Sequence, residues 1–166
     1  MAAASSAVVS LETTLRVRDT CLCLHAQRAA RALAGRFDEA LRPAGLTNSQ
    51  FSLLNALNGP HPKTPGEIAT VIGADRTTVT AALKPLARRG LARVSPDPDD
   101  RRVRRVALTP EGRARLAAAL PLWARAHETL EAELDGADLG RMRRDLKALS
   151  ASRRRPRAPQ THAGNP

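Results

Sequence analysis

The stretch from residue 65 to 108 constrains the chain more than any other part of it. It holds two short segments of helical periodicity separated by a glycine, then two extended segments around a turn rich in Pro and Asp. Ala69, Gly73, Val79 and Ala82 fall where a pair of helices joined by a tight turn needs them. A small residue lets the helices approach, a glycine serves the turn, and apolar residues hold the second helix down. Thr64-Pro65-Gly66-Glu67 has the form of a capping box with proline at the first helical position, so the first helix starts there. Asp75 can cap the second helix, where its carboxylate suits the positive end of the dipole.

Val79, Leu83 and Leu86 make an apolar stripe that should face inward. Arg76, Thr77, Thr80, Ala81, Lys84 and Arg88 occupy the opposite face, with Asp75 and Thr78 at its N-terminal edge. Short polar, methyl-bearing and cationic groups in that arrangement suit base edges and phosphates in a major groove. A solvated helix face would carry similar residues, so the hairpin that follows decides between the two. Leu91 to Val94 reads as a strand, Ser95 to Asp100 as a turn, and Arg102 to Leu108 as a second strand with Val106 and Leu108 on one face. Arg101, Arg102, Arg104 and Arg105 sit at or just after the tip. A wing so armed can place one guanidinium, Arg102, in a narrow minor groove and the others on phosphates. Asp99 or Asp100 would orient such an arginine through a fork-like pair. Pro85 should end the reading helix early or bend it, which weakens the assignment of Arg88.

The flanks carry helical stripes. Leu22, Ala26, Ala29, Leu33, Phe37 and Leu41 line one side of a helix expected to begin near Asp19. Leu116, Leu120, Trp123, His127, Leu130 and Leu134 follow alternating spacings of four and three along another, opened by Thr109-Pro110 and bent at Pro121. After Asp135-Gly136, Leu139, Met142, Leu146 and Leu149 repeat the pattern. These helices could pack within one subunit. A head that reads one half-site gains most by pairing, however, so a homodimer built from the terminal helices is favoured. The fold class that follows is mainly α with a small β wing: a winged helix-turn-helix flanked by N- and C-terminal dimerisation helices. The corresponding segments are an arm over 1–18, a dimerisation helix over 19–44, the winged head over 45–109, C-terminal helices over 110–150 and a basic, Pro-rich tail over 151–166.

The order of signals resembles the MarR family of bacterial transcription regulators. It runs Gly45-Leu46-Thr47-x-x-Gln50-Phe51, then the helix pair, Leu83-x-x-Leu86-x-x-x-Gly90-Leu91, Pro98-Asp-Asp-Arg-Arg102 and Leu108-Thr109-x-x-Gly112. The likeness extends over roughly residues 20 to 149, and its specific part is the Asp-Arg-Arg wing followed by Leu-Thr-x-x-Gly. It implies a homodimer that binds double-stranded DNA at a pseudo-palindromic operator, usually as a repressor in the bacterial cytoplasm at the nucleoid. It also implies release by a small aromatic or phenolic ligand, or by oxidation of a cysteine. For the ligand, the resemblance suggests a pocket between the dimer helices and the head, with His25, Arg28, Phe51, Asn55, His61 and Trp123 as candidates. For oxidation it suggests Cys21, which aligns with the reactive cysteine of the peroxide-sensing branch. The chain departs from that branch: it has no Tyr, Phe37 and Asn48 stand at the corresponding positions, and no C-terminal resolving Cys exists. Cys21 and Cys23, if helical, would point in nearly opposite directions and could not pair.

Net charge is +11, from 27 basic against 16 acidic residues, which favours a polyanionic partner. An anionic membrane surface would also suit it, but no long apolar run or basic amphipathic anchor is present. With two Phe, one Trp and no Tyr, base-stacking recognition of single strands is disfavoured. No phosphate-cradling glycine loop, metal pair or nucleophile elbow is found, so no catalytic residue, metal or cofactor is assigned and an enzyme is not expected. The competing classes are an architectural DNA-packaging protein, which lacks operator preference, and a protein-interaction subunit, which lacks DNA affinity.

Overall fold

The computed structural model describes residues 9–152; residues 1–8 of the arm and 153–166 of the basic tail lie outside the described residues. Side-chain caps set most helix starts. Ser10 accepts the Thr13 amide to open α1 (Leu11–Thr20). Cys21 then leaves helical conformation, with φ −73° and ψ 102°, and its Sγ accepts the Leu24 amide at 3.4 Å to open α2 (Leu22–Leu41). The helix expected from near Asp19 therefore starts at Leu22, and Leu11–Thr20 before it form a helix of their own. Cys21 is a cap between helices instead of a position within one. Thr47 and Gln50 form a capping box for α3 (Asn48–Leu57).

Thr64 and Glu67 form the expected capping box for α4 (Pro65–Ile72), which ends on Gly73 at φ 72°. That left-handed turn is what glycine permits at least cost. Asp75 caps α5 (Arg76–Arg88) through the Thr78 amide at 2.8 Å. Pro85 neither ends nor shortens α5, so Arg88 remains helical, contrary to the early stop expected. The wing consists of β1 (Ala92–Pro96) and β2 (Arg104–Leu108), antiparallel, with Ala92 opposite Leu108 and Pro96 opposite Arg104. β1 thus extends two residues beyond Val94, where a strand was expected to end. Lys63 exchanges both backbone hydrogen bonds with Val106, at 2.9 and 2.8 Å, and ties the segment before α4 to the wing. Thr109 opens α6 (Pro110–Glu133), which contains Pro121 without ending there, and α7 (Leu139–Ser152) follows.

The core sits where α3, α4, α5, β2 and the ends of α2 and α6 converge. Leu41, Leu54, Ile68, Val79, Leu86, Leu91 and Val106 are fully buried there. The inward stripe of α5, Val79, Leu83 and Leu86, is buried as its spacing predicts. The α6 stripe is divided. Leu116 joins the core, and His127 faces Phe37 of α2 at 6.4 Å between ring centroids, whereas Leu120 is 45% exposed. Of the expected seam, Leu116 is thus buried within the subunit, while Trp123, His127, Leu130 and Leu134 stay half-buried. An Arg36–Glu133 bidentate pair further links α2 to α6.

Candidate nucleic-acid interface

α5 presents its outer face beside the wing. Arg76, Thr77, Thr78, Thr80, Ala81, Lys84 and Arg88 are all exposed along it. Asp75 and Thr78 are committed to each other: the Thr78 amide and hydroxyl both donate to the Asp75 carboxylate. These bonds hold that carboxyl below its usual range, so it stays ionised at the positive end of α5. The Thr80 hydroxyl donates to the Arg76 carbonyl at 2.8 Å, which leaves its oxygen free to accept. A groove of about 290 Å³ separates α5 from the wing, with Arg76, Thr80, Lys84 and Arg104 on its walls and Leu83, Val94 and Val106 at its base. Val94 was not singled out for the interface in the sequence; it is 47% exposed, although Ala92, two residues before it on β1, is buried. Among the described residues, Arg76, Lys84, Arg101, Arg102 and Arg104 have no ion-pair or side-chain hydrogen-bond partner. Such exposed, unpaired cations on α5 and the wing suit a polyanion.

The wing tip is built by a different carboxylate from the two expected. Asp97, buried at 6% exposure, accepts the amides of Asp99 at 2.9 Å and Asp100 at 3.3 Å and binds the Arg105 guanidinium. The Arg105 ion pair, with those amides, holds the Asp97 carboxyl below the usual carboxylate range. Arg105 also lies 3.5 Å from Glu67, so it bridges the wing to the capping box of α4. Its guanidinium is engaged inside the head, whereas Arg101 and Arg102 project from the tip. Among the described residues Asp99 makes no ion pair with the arginines, and the Asp100 carboxylate accepts only the backbone amide of Arg102, at 2.9 Å. The expected orienting pair is thus replaced by Asp97 and Arg105, because Asp97 points back into the turn. Arg89 is another cation engaged internally, donating to the Gly45 carbonyl and the Gln50 amide oxygen.

A second cavity, of about 420 Å³, lies on the far side of the head between α3, α4 and α6. Phe51, Asn55 and Trp123, three of the expected pocket residues, line it together. Phe51 and Trp123 stack at 6.2 Å and 19°, and His127 tilts against Trp123 at 4.9 Å. His25, Arg28 and His61 do not line it. The His25 ring contacts the Asp19 carbonyl at 3.1 Å, across the α1–α2 junction, and Arg28 and His61 are exposed. Asn48, Ser52, Ala56, Val71, Ile72 and Leu120 complete the lining and were not proposed for it from the sequence. Ser52 and Asn55 are three positions apart on one helix face, a spacing that could have revealed the pair. Cys21 is half-buried at the α1–α2 junction and Cys23 is exposed. Among the described residues no His/Cys/Asp/Glu cluster could hold a metal, and no helix is long and apolar enough to cross a membrane.

A model described as MarR family matches residues 44–103, which run from the turn after α2 through the wing tip. The M. tuberculosis transcriptional regulator MosR, solved in complex with DNA, is 41% identical. The match covers 80% of this chain and 96% of MosR, with a TM-score of 0.71. The transcriptional repressor CouR, solved on a 23-mer DNA duplex, is 36% identical over 84% of this chain and 96% of its own, with a TM-score of 0.65. The HTH-type transcriptional repressor NicR of Pseudomonas putida is 38% identical over 76 residues, 46% of this chain. That match spans about half the length of NicR, 48%. The winged head, its wing motif and the near full-length likeness to MosR agree, and the chain belongs to the MarR family of transcriptional regulators.

Proposed function

We propose that the protein is a sequence-specific DNA-binding repressor that acts as a homodimer and leaves its operator when a small aromatic or phenolic ligand binds. The observation that carries this reading is the strip of unpaired cations on α5 and the wing, flanking the threonines of the reading face. Residues 76 to 88 enter a major groove, Arg102 enters the adjacent minor groove, and Arg101 and Arg104 hold phosphates. Two subunits place two such heads on the halves of a pseudo-palindrome. The protein accordingly works in the bacterial cytoplasm, at the nucleoid. The relatives solved on DNA support the partner, and the repressors CouR and NicR support the sign of regulation. The cavity beside Trp123 is the effector site, because it joins the reading head (α3 and α4) to α6.

Selection of genomic DNA fragments by the purified protein at two salt concentrations tests the reading. A palindrome that stays enriched at the higher salt is the expected result. Uniform binding that collapses with salt would replace the repressor by an architectural protein. A second reading, a thiol switch at Cys21, is favoured by the place of that thiol as the cap on which α2 begins. Peroxide treatment should then weaken operator binding of the native chain and leave Cys21→Ser unaffected; equal losses in both would exclude it.

A further inference from the structure

The cavity between α3, α4 and α6 is lined without a single charged side chain. The stacked rings of Phe51 and Trp123 give it a flat apolar wall. Its polar side chains are all neutral: the amides of Asn48 and Asn55 and the hydroxyl of Ser52, which can donate and accept, and the indole N–H of Trp123, which only donates. The charged and titratable groups that touch lining residues are bonded to the backbone of those residues or to one another. Asp38 accepts the Asn48 backbone amide at 2.6 Å, and Lys63 donates to the Ala56 carbonyl. His127, behind Trp123, lies 3.3 Å from Glu131, which also binds Arg143.

A carboxylate held against the Phe51–Trp123 wall would lose part of its hydration with no lining cation to replace it, and desolvating an unpaired charge is costly. A phenol, amide or ring ketone would exchange water for equivalent hydrogen bonds and keep the aromatic contact. We propose that the cavity selects an uncharged planar aromatic molecule bearing hydroxyl or amide groups over the aromatic carboxylate of the same shape. The inference rests on the effector reading above for its consequence at DNA, but not for the binding preference itself.

Calorimetric titration of the full chain with 2-naphthamide and with 2-naphthoate, at neutral pH, separates the two classes by charge alone. The amide should bind about ten-fold tighter or more. Asn55 is exposed at the cavity, so Asn55→Arg can add a cation without disturbing the core, and it should shift the preference toward the naphthoate by a similar factor. Naphthoate binding as tight as the amide, no binding of either, or an Asn55→Arg variant with an unchanged ratio would each overturn the proposal. DNA binding measured in the same samples keeps the two readings apart. An amide that binds without releasing DNA defeats the effector reading and leaves the charge preference standing. Release of DNA by the naphthoate alone does the reverse.

Discussion

Gly112 leaves no room for a side chain. A Cβ built there would lie 1.9 Å from the Leu91 carbonyl oxygen and 3.3 Å from Leu108 Cδ2. The first of these is backbone, so Gly112→Ala must push α6 away from the start of the wing. Overpacking of this kind costs about 1–3 kcal/mol, and the backbone clash puts this site at the upper end. Gly35, by contrast, sits in α2 with nothing within 4 Å of its added Cβ. Gly35→Ala should stabilise by roughly 0.5–1 kcal/mol through helix propensity. Urea denaturation of the two variants should move in opposite directions. Asp97 supports a second prediction. Its folded pKa is lowered, chiefly by Arg105, so its stabilising contribution is complete above the unfolded carboxylate value of about 3.9 and is lost as pH falls through the lowered one. The gap in thermal midpoint between the native chain and Asp97→Asn should stay constant from about pH 8 to 5 and close below about pH 4. A gap that varied between pH 5 and 8 would mean another group controls the wing turn.

Among the elements, the wing separates arginines that the sequence listed together. Arg102 projects from the tip, whereas Arg105 joins Asp97 to Glu67. Arg102→Ala should weaken operator binding by about 1–3 kcal/mol, the worth of one base or shape contact, and leave the thermal midpoint unchanged. Arg105→Ala should lower the midpoint, because it strands the buried Asp97 carboxylate. If both variants lost DNA affinity alone, the division of roles would be wrong. Paired gel-shift and thermal-melt series read the two effects. The same wing shows what was legible in the sequence. The helix pair and hairpin were readable because their caps and turn, Thr64, Glu67, Gly73 and Asp75, are short-range signals. The Asp97–Arg105 pair was not, since Asp97, Asp99 and Asp100 are equivalent by composition and only the fold of the turn buries one of them. The break between α1 and α2 was hidden for a related reason: the cap is a thiol, outside the Ser, Thr, Asp and Asn set that marks a helix start. The cavity was half legible, as Phe51, Asn55 and Trp123 converge while His25, Arg28 and His61 stay outside.

At the scale of the molecule, one subunit leaves its outer helices poorly covered. α1 buries no residue, and in α7 Met142 is 43% and Leu146 53% exposed. Leu11, Val17 and Leu22 are exposed at 55–73% at the other end of the chain. Apolar side chains exposed along α1, the start of α2 and α7, at the two ends of the described chain, are more than scattered surface leucines, and they supply the area a homodimer can bury. The heads gain from this beyond stability. A single head on one half-site holds about half the phosphate contacts, so loss of the dimer should reduce both affinity and its dependence on salt. Met142→Glu combined with Leu146→Glu puts two charges on that face without touching the core or the reading strip. Sedimentation should show a monomer that keeps its helical circular dichroism, and operator binding should fall with a shallower slope against salt concentration. A variant that remained dimeric would move the interface off α7, and a monomer that bound the operator with undiminished affinity would mean that each head reads its site alone.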